Sequence, residues 1–507
     1  MRRFACFQML ICVFALSSNG TVMCQDAQSA FQINLPKTLA EQPIDGRLFV
    51  FLTKRQGIEP RFGPNWFNPE PFFATDVKNF QPGSSKLIDD AADGCPGKVS
   101  KLAAGKYFAQ AVLDHDFYSA SPGAGEGNFY SEVLEVDFDP AKMQIFELQL
   151  SETVPPRKFE ETDWLKEVRL NSKLLSDFHK RPVIERAAIV LPASYANEPD
   201  KRYPVLYVIS GFSGTIERVA APYRRGPPEL QEGEVEMIRV LLTGECKWGH
   251  HAYANSATNG PRGDALVSEL IPLIDSKFRT VADARARFVG GHSSGGWSSL
   301  WLQVNYPETF GGVWSTSPDP VDFRDFQQVD LYHEPPLSLY FDENGDKRPL
   351  ARAQGRVLIW YPDFAVMDDV LGRGGQLRSF EAVFSPLDKN GLPAKLWGRK
   401  TGRIDPEIAQ AWRSYDIRLI LEENWKTLKD ELAGKIHITM GDQDTFYLEG
   451  ATILLKKTLE ELGSDAEITI VPGADHGTVI TRESIATQRK QIADAYLNYF
   501  NEDGSPK

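Results

Sequence analysis

The sequence predicts a two-part protein, in which a β-rich N-terminal region precedes an α/β domain built on a doubly wound, mostly parallel sheet. Three observations predict this. Residues 31–150 read as short strands set off by Gly, Pro and Asp. From residue 182 onward, apolar strand-like runs alternate with helical segments, and a charged stretch led by Pro155 and Pro156 separates the two regimes. A chain of 507 residues is also too long for one hydrophobic core. With 42% hydrophobic and 25% charged residues, the composition is that of a soluble globular protein, which argues against both disorder and membrane embedding. The 69 acidic residues outnumber the 56 basic ones, giving a net charge of -13. Such a surface repels phosphate backbones, so nucleic acid is not an expected partner.

The chain opens with Arg2 and Arg3, an apolar run from Phe4 to Leu16, then Ser17, Ser18 and Asn19. This is the layout of a signal peptide over residues 1–24, with Val22 and Cys24 small enough for the positions that precede cleavage. Met23 before Cys24 argues against a lipid anchor. The run is too short to span a bilayer, and no other stretch reaches the ~20 apolar residues that a membrane helix needs. The expectation is an exported protein, periplasmic or extracellular, with no integral membrane segment. Three of the five cysteines fall in this leader, leaving Cys95 and Cys246. A disulfide framework is therefore not expected, and two separate buried thiols are favoured over a bridge. No C-x-x-C or H-E-x-x-H spacing occurs, so no metal site is expected.

In the N-terminal region, residues 48–52, 107–113, 133–138 and 144–150 are strand-like. In the last of these, Phe146, Leu148 and Leu150 alternate with Glu147 and Gln149. A β-sandwich-like domain over 31–150 follows. Its loop at 63–68 carries Pro64, Trp66 and Phe67, which either bind ligand or dock against a neighbouring surface. Residues 151–181, charged and helix-prone from Phe159 to His179, read as a bridging segment. Beyond it, 205–209, 238–242, 288–289, 436–440 and 468–471 look like buried parallel strands. Ala451, Leu454, Leu455, Thr458, Leu459 and Leu462 form one helical face to lie on that sheet. The stretch 321–432, rich in Trp and Tyr, is too long for a plain connection and reads as an inserted helical cap within a domain of 182–502.

Gly291-His-Ser-Ser-Gly295 fits G-x-S-x-G between a strand and a helix, where a sharp turn pushes Ser293 out from the sheet edge. A serine hydroxyl needs a base to take its proton, and the base needs an acid to fix its tautomer. Of the histidines after Ser293, His437 lies inside a strand pattern, whereas His476 lies in a loop at the carboxyl end of the last strand, where ligands gather. His476 is the expected base. Asp442 and Asp444 follow the preceding strand and are candidates for the acid; Asp475 is assigned a structural loop role. Backbone N–H groups of Phe212 and Ser294 are the expected oxyanion donors. His250, His251 and Tyr253, in a loop after the strand at 238–242, are expected substrate contacts, although loop packing explains them equally well.

Residues 182–500 resemble the Putative esterase family of α/β-hydrolases, which includes esterase D, enterochelin esterases and feruloyl esterases. The likeness rests on Tyr203-Pro-Val-Leu-Tyr207 leading to Gly211-Phe212, on Glu269-Leu-Ile-Pro272, on the serine turn, on Gly441-x-x-Asp444 and on Asp475-His476-Gly477. The resemblance implies an α/β-hydrolase fold with a Ser293, Asp444 and His476 triad. Ser210-Gly211 stands where the family's His-Gly is usual. A serine carboxylic ester hydrolase acting on a small-molecule or carbohydrate-linked ester, with no cofactor, is the leading reading. Acyl transfer by the same triad and an inactive ligand-binding protein are the alternatives. Oligomeric state is not legible.

Overall fold

The computed structural model describes residues 29–116 and 118–507, so the expected leader at 1–24 lies outside the described residues. Nine strands form the N-terminal sheet: β1 (Ala30–Leu35), β2 (Ile44–Thr53), β3 (Phe72–Phe80), β4 (Ser84–Ile88), β5 (Asp93–Cys95), β6 (Gly105–Asp114), β7 (Phe129–Ser131), β8 (Leu134–Phe138) and β9 (Ile145–Thr153). Their order is β4-β1-β9-β7-β6-β2-β3-β5, with β8 also on β6. Only β1 and β9 run parallel.

The apolar run at 48–52 shows how this sheet relates to the rest of the chain. Successive side chains on a strand point to opposite faces. Leu48, Val50 and Leu52 join Phe31, Ile33, Leu148 and Leu150 in a core internal to the N-terminal sheet. Phe49 and Phe51, on the other face, join Phe72 and Val112 in the core that continues into the second sheet. Their rings stack, Phe49 on Phe51 at 5.3 Å and Phe51 on Phe72 at 5.5 Å. Both faces of β2 are therefore buried, and its sequence is apolar without alternation. Ion pairs reinforce the seam: Arg157 clasps Glu245 with bonds of 2.7 and 2.9 Å, and Arg373 meets Asp114 at 2.8 Å.

The second sheet has eight strands: β10 (Leu165–Asn171), β11 (Ile184–Val190), β12 (Val205–Ile209), β13 (Ile238–Leu242), β14 (Arg287–His292), β15 (Gly312–Thr316), β16 (Ile436–Gly441) and β17 (Glu467–Val471). Their order is β10-β11-β13-β12-β14-β15-β16-β17. From β13 to β17 all neighbours are parallel, whereas β10 and β11 are antiparallel additions at one edge. The chain passes from β12 to β13 on one side and returns to β14 on the other. The crevice at the carboxyl ends of β12 and β14 is thus a topological switch point, the place where such sheets bind ligands.

The charged stretch 159–179 departs from its expected bridging role. A third of it is β10, which pairs with β11 from Leu165 opposite Val190 to Asn171 opposite Ile184. Leu165 and Val168 are buried while Arg169 faces water, and charges on an edge strand deter further pairing. A helix (Lys173–His179) follows, with the Ser172 hydroxyl accepting from the Leu175 N–H. Between β15 and β16 lie a hairpin (Pro349–Ala353 with Arg356–Trp360) and the helices Tyr361–Leu371, Gln376–Phe384, Pro406–Trp412 and Ile417–Leu432. Tyr361, Phe364, Trp397 and Trp412 from this segment are buried in the shared core. The helix Glu449–Glu461 buries Ala451, Leu455 and Leu459, the face its spacing predicts. Cys95 and Cys246 are separate buried thiols, each pushed up to about 11 by burial. Among the described residues, no helix is long and apolar enough to cross a membrane.

Candidate active site

Strand β14 ends in Gly290-Gly-His292, and the helix Ser294–Asn305 begins two residues later, leaving Ser293 to make the turn alone. Its backbone sits at φ 61°, ψ -127°, a strained conformation for a residue with a side chain. Glycine is required on both sides. A Cβ on Gly291 would lie 2.3 Å from the Gly295 carbonyl oxygen, and one on Gly295 would lie 2.0 Å from the Ile209 carbonyl oxygen. The turn is fixed by Ser293 N–H donating to Thr316 O (3.0 Å) and by Trp297 N–H donating to Ser293 O (3.0 Å).

The loop after β17 brings His476 to the same cavity as Ser293. His476 Nδ1 lies 2.7 Å from Asp444 Oδ2, and Asp444, in the loop after β16, is fully buried. The second Asp444 oxygen accepts from Phe446 N–H at 2.8 Å. Burial pulls the His476 proton affinity down, but the Asp444 hydrogen bond and charge, with Asp319 and Asp475 beyond, hold it above the ordinary histidine value. Asp442 bonds instead to Gly473 N–H (2.7 Å), tying the β16 loop to the turn that precedes His476. Asp475 accepts from Gly477 and Thr478 N–H groups, which lower its pKa, and closes its own turn. His292 donates from Nε2 to His476 O at 2.8 Å; burial, then the nearby His476, pushes it down to about 4, so it is neutral.

Gly211-Phe212 follows β12 and lines the cavity opposite Ser293. Among the described residues, neither Phe212 N–H nor Ser294 N–H donates to a protein acceptor. Ser210, at the family's histidine position, has a buried hydroxyl without a partner. Its carbonyl accepts from His250 Nε2 at 3.1 Å.

His250, His251 and Tyr253 are not brought to this cavity. They are 3%, 1% and 1% exposed, held by bonds such as Tyr253 Oη to Thr243 O (3.1 Å). None of the three expected substrate contacts lines the Ser293 cavity, and His250 braces the Phe212 turn.

The cavity holds about 540 Å³. Trp66 reaches it from the N-terminal loop, its ring 5.5 Å from Phe212, 5.2 Å from Phe364 and 6.3 Å from Phe446. Asp319, just past β15, also lines it and has no counterpart in the sequence reading. Its signal was its place: Ser317-Pro-Asp-Pro320 follows a strand of the parallel sheet at the carboxyl end. A larger cavity of about 710 Å³ lies away from Ser293, between Arg157 and Arg262, whose charges are matched by Glu245 and Glu185.

The profile of the Putative esterase family matches residues 185–476, more than half of the chain. The chain belongs to this family. An esterase of Mycobacterium tuberculosis is 30% identical over 145 residues, 28% of this member and 30% of that protein. An endo-1,4-beta-xylanase/feruloyl esterase of Xylanibacter ruminicola is 28% identical over 138 residues, 25% of this chain and 19% of its own. The Putative esterase chain thus matches under a third of the length of these curated relatives. A solved ferulic acid esterase superposes with a TM-score of 0.40 at 15% identity, covering 66% of this chain and 99% of the other.

Proposed function

We propose that this protein is an exported serine carboxylic ester hydrolase that works through an acyl-enzyme on Ser293. The observation that carries the reading is the 2.7 Å His476 to Asp444 contact, in a cavity that also holds the strained Ser293 turn. His476 Nε2 takes the Ser293 hydroxyl proton as its oxygen attacks the ester carbonyl. Asp444 keeps the other ring proton on Nδ1 and stabilises the imidazolium. The developing oxyanion is met by Phe212 N–H and Ser294 N–H, two donors with no protein acceptor to give up. His476 then passes its proton to the departing alkoxide. A water molecule, deprotonated by the same imidazole, releases the acid and restores the Ser293 hydroxyl. No step calls for a metal or an organic cofactor.

The same proposal treats 31–150 as a β-sandwich-like domain and 182–502 as the catalytic domain, with about 321–432 as a cap. Trp66 supports a role for the first in shaping the substrate cavity, and Phe364 supports one for the second. The test is acid quenching during turnover of an activated ester, followed by mass spectrometry of the peptide bearing Ser293. An acyl adduct on that peptide is expected. Steady turnover with no covalent adduct under any quench would reject the acyl-enzyme route.

A further inference from the structure

Asp319 is the one charged side chain of the catalytic cavity that the ester-hydrolysis steps do not use and that is also buried. It is 7% exposed. Its N–H donates to Ser293 O at 3.3 Å, and its Oδ2 accepts from the Ser294 hydroxyl at 2.5 Å. The carboxyl therefore stands beside the nucleophile turn and beside the Ser294 amide that would hold the oxyanion. Among the described residues, no hydrogen bond reaches Oδ1, and that oxygen is not among the fully buried unpaired atoms. Asp319 lines the catalytic cavity and also a small hollow behind it, shared with Ser294, Trp297 and Phe380.

For a neutral ester this is a poor arrangement. A carboxylate next to a developing oxyanion repels it, and a buried carboxylate with a single hydrogen bond lacks the compensation that burial demands. Burial pushes Asp319 up to about 6, so at neutral pH the group is ionised at a cost. His476 attracts it, but that ring is committed to Asp444. Arg218, the other cation of the lining, is exposed at the rim. Apart from the polar Ser210, Ser213, His292, Gln327 and Gln376, the wall is largely aromatic and aliphatic, led by Trp66, Phe212, Phe364 and Phe446. A cation brought by the ligand would satisfy the unbonded carboxylate oxygen, meet the faces of the rings and cancel the charge that opposes the oxyanion.

We propose, on the reading of this cavity as the ester-binding site, that Asp319 and the aromatic wall led by Trp66 form a subsite for a cationic group of the substrate, an ammonium or trimethylammonium. The ester is then an amino-substituted or quaternary-ammonium ester and not a purely neutral one.

The experiment compares choline with its uncharged isostere 3,3-dimethylbutan-1-ol, binding to the full chain by calorimetry, and then compares hydrolysis of their butyrates. Choline is expected to bind ~10-fold or more tightly than the isostere, as for a hydrogen-bonded or charge-matched group. Asp319→Asn should abolish that preference. Trp66→Leu, a second variant away from the nucleophile turn, should reduce it several-fold, in the range of a desolvated cation–π contact. Equal binding of the two ligands by the wild type, or a preference that survives in both variants, would overturn the subsite. The expected binding pattern with neither butyrate cleaved would leave the subsite standing and remove the ester-hydrolase reading.

Discussion

Replacing Asp319 with Asn tests the electrostatics of the cavity through stability. The carboxyl is held at about 6 against an ordinary 3.8, burial being the main cause, opposed by the Ser294 hydrogen bond and by His476. At ~1.4 kcal/mol per tenfold change in proton affinity, the gap corresponds to a cost on the order of 3 kcal/mol once the group is ionised. The sign follows from the direction. A carboxyl with a raised native pKa binds its proton more tightly folded than unfolded, so its contribution is fully present below about 3.8. That contribution is lost as pH rises through about 6. Asn carries no charge, yet its carbonyl can still accept from the Ser294 hydroxyl. Thermal midpoints of wild type and Asp319→Asn should therefore lie close together at pH 4 and separate by pH 8, the variant being the more stable. A variant less stable than wild type at pH 8, or one with the same gain at both pH values, would refute the reasoning.

Asp444→Asn should leave the fold intact and cut turnover severely, by ~10⁴-fold in a comparable serine hydrolase. Asp442→Asn should instead lower the thermal midpoint through its Gly473 bond, and the reverse pattern would exchange the two roles. Phe212→Pro removes one oxyanion donor and should cost ~10²-fold or more in kcat with the fold checked by circular dichroism. Because Asp444 raises the proton affinity of His476, the acid limb of the pH–rate profile should lie above the ordinary histidine value and move down in Asp444→Asn. Limited proteolysis should cut between residues 155 and 163, ahead of β10, and the two fragments should co-elute, since Phe49, Phe51 and the Arg373–Asp114 pair bind them together. Fragments that separate in buffer would contradict that seam.

The serine turn was legible because it makes a sharp local demand: only glycine fits at 291 and 295, and a pattern of five residues records that. The alternation of β9 and the helical face at 451–459 were legible for the same reason, since one buried face imposes a period. Strand β10 was hidden because this edge strand buries only Leu165 and Val168, with Leu170 half-buried, and sets Lys166, Glu167 and Arg169 among them. His250, His251 and Tyr253 looked like substrate contacts because polar rings in a loop at the right end of the sheet carry no mark of burial. Nothing in their order reveals that the loop turns inward. Asp319 went unassigned, and Trp66 was left between ligand binding and docking, for a related reason. Each becomes part of the cavity through contacts that span the chain, Trp66 from the N-terminal sheet and Asp319 through Ser294. The two faces of β2 are a further case, because an unbroken apolar run says that both faces are covered but not by what.

The central claim is that Ser293 is the nucleophile. Treatment of the full-length protein with a fluorophosphonate, followed by peptide mass spectrometry, should find one adduct on Ser293. Ser293→Ala should remain folded, take up no label and lose nearly all ester turnover. Labelling at another residue, or wild-type turnover by the folded Ser293→Ala variant, would contradict the account.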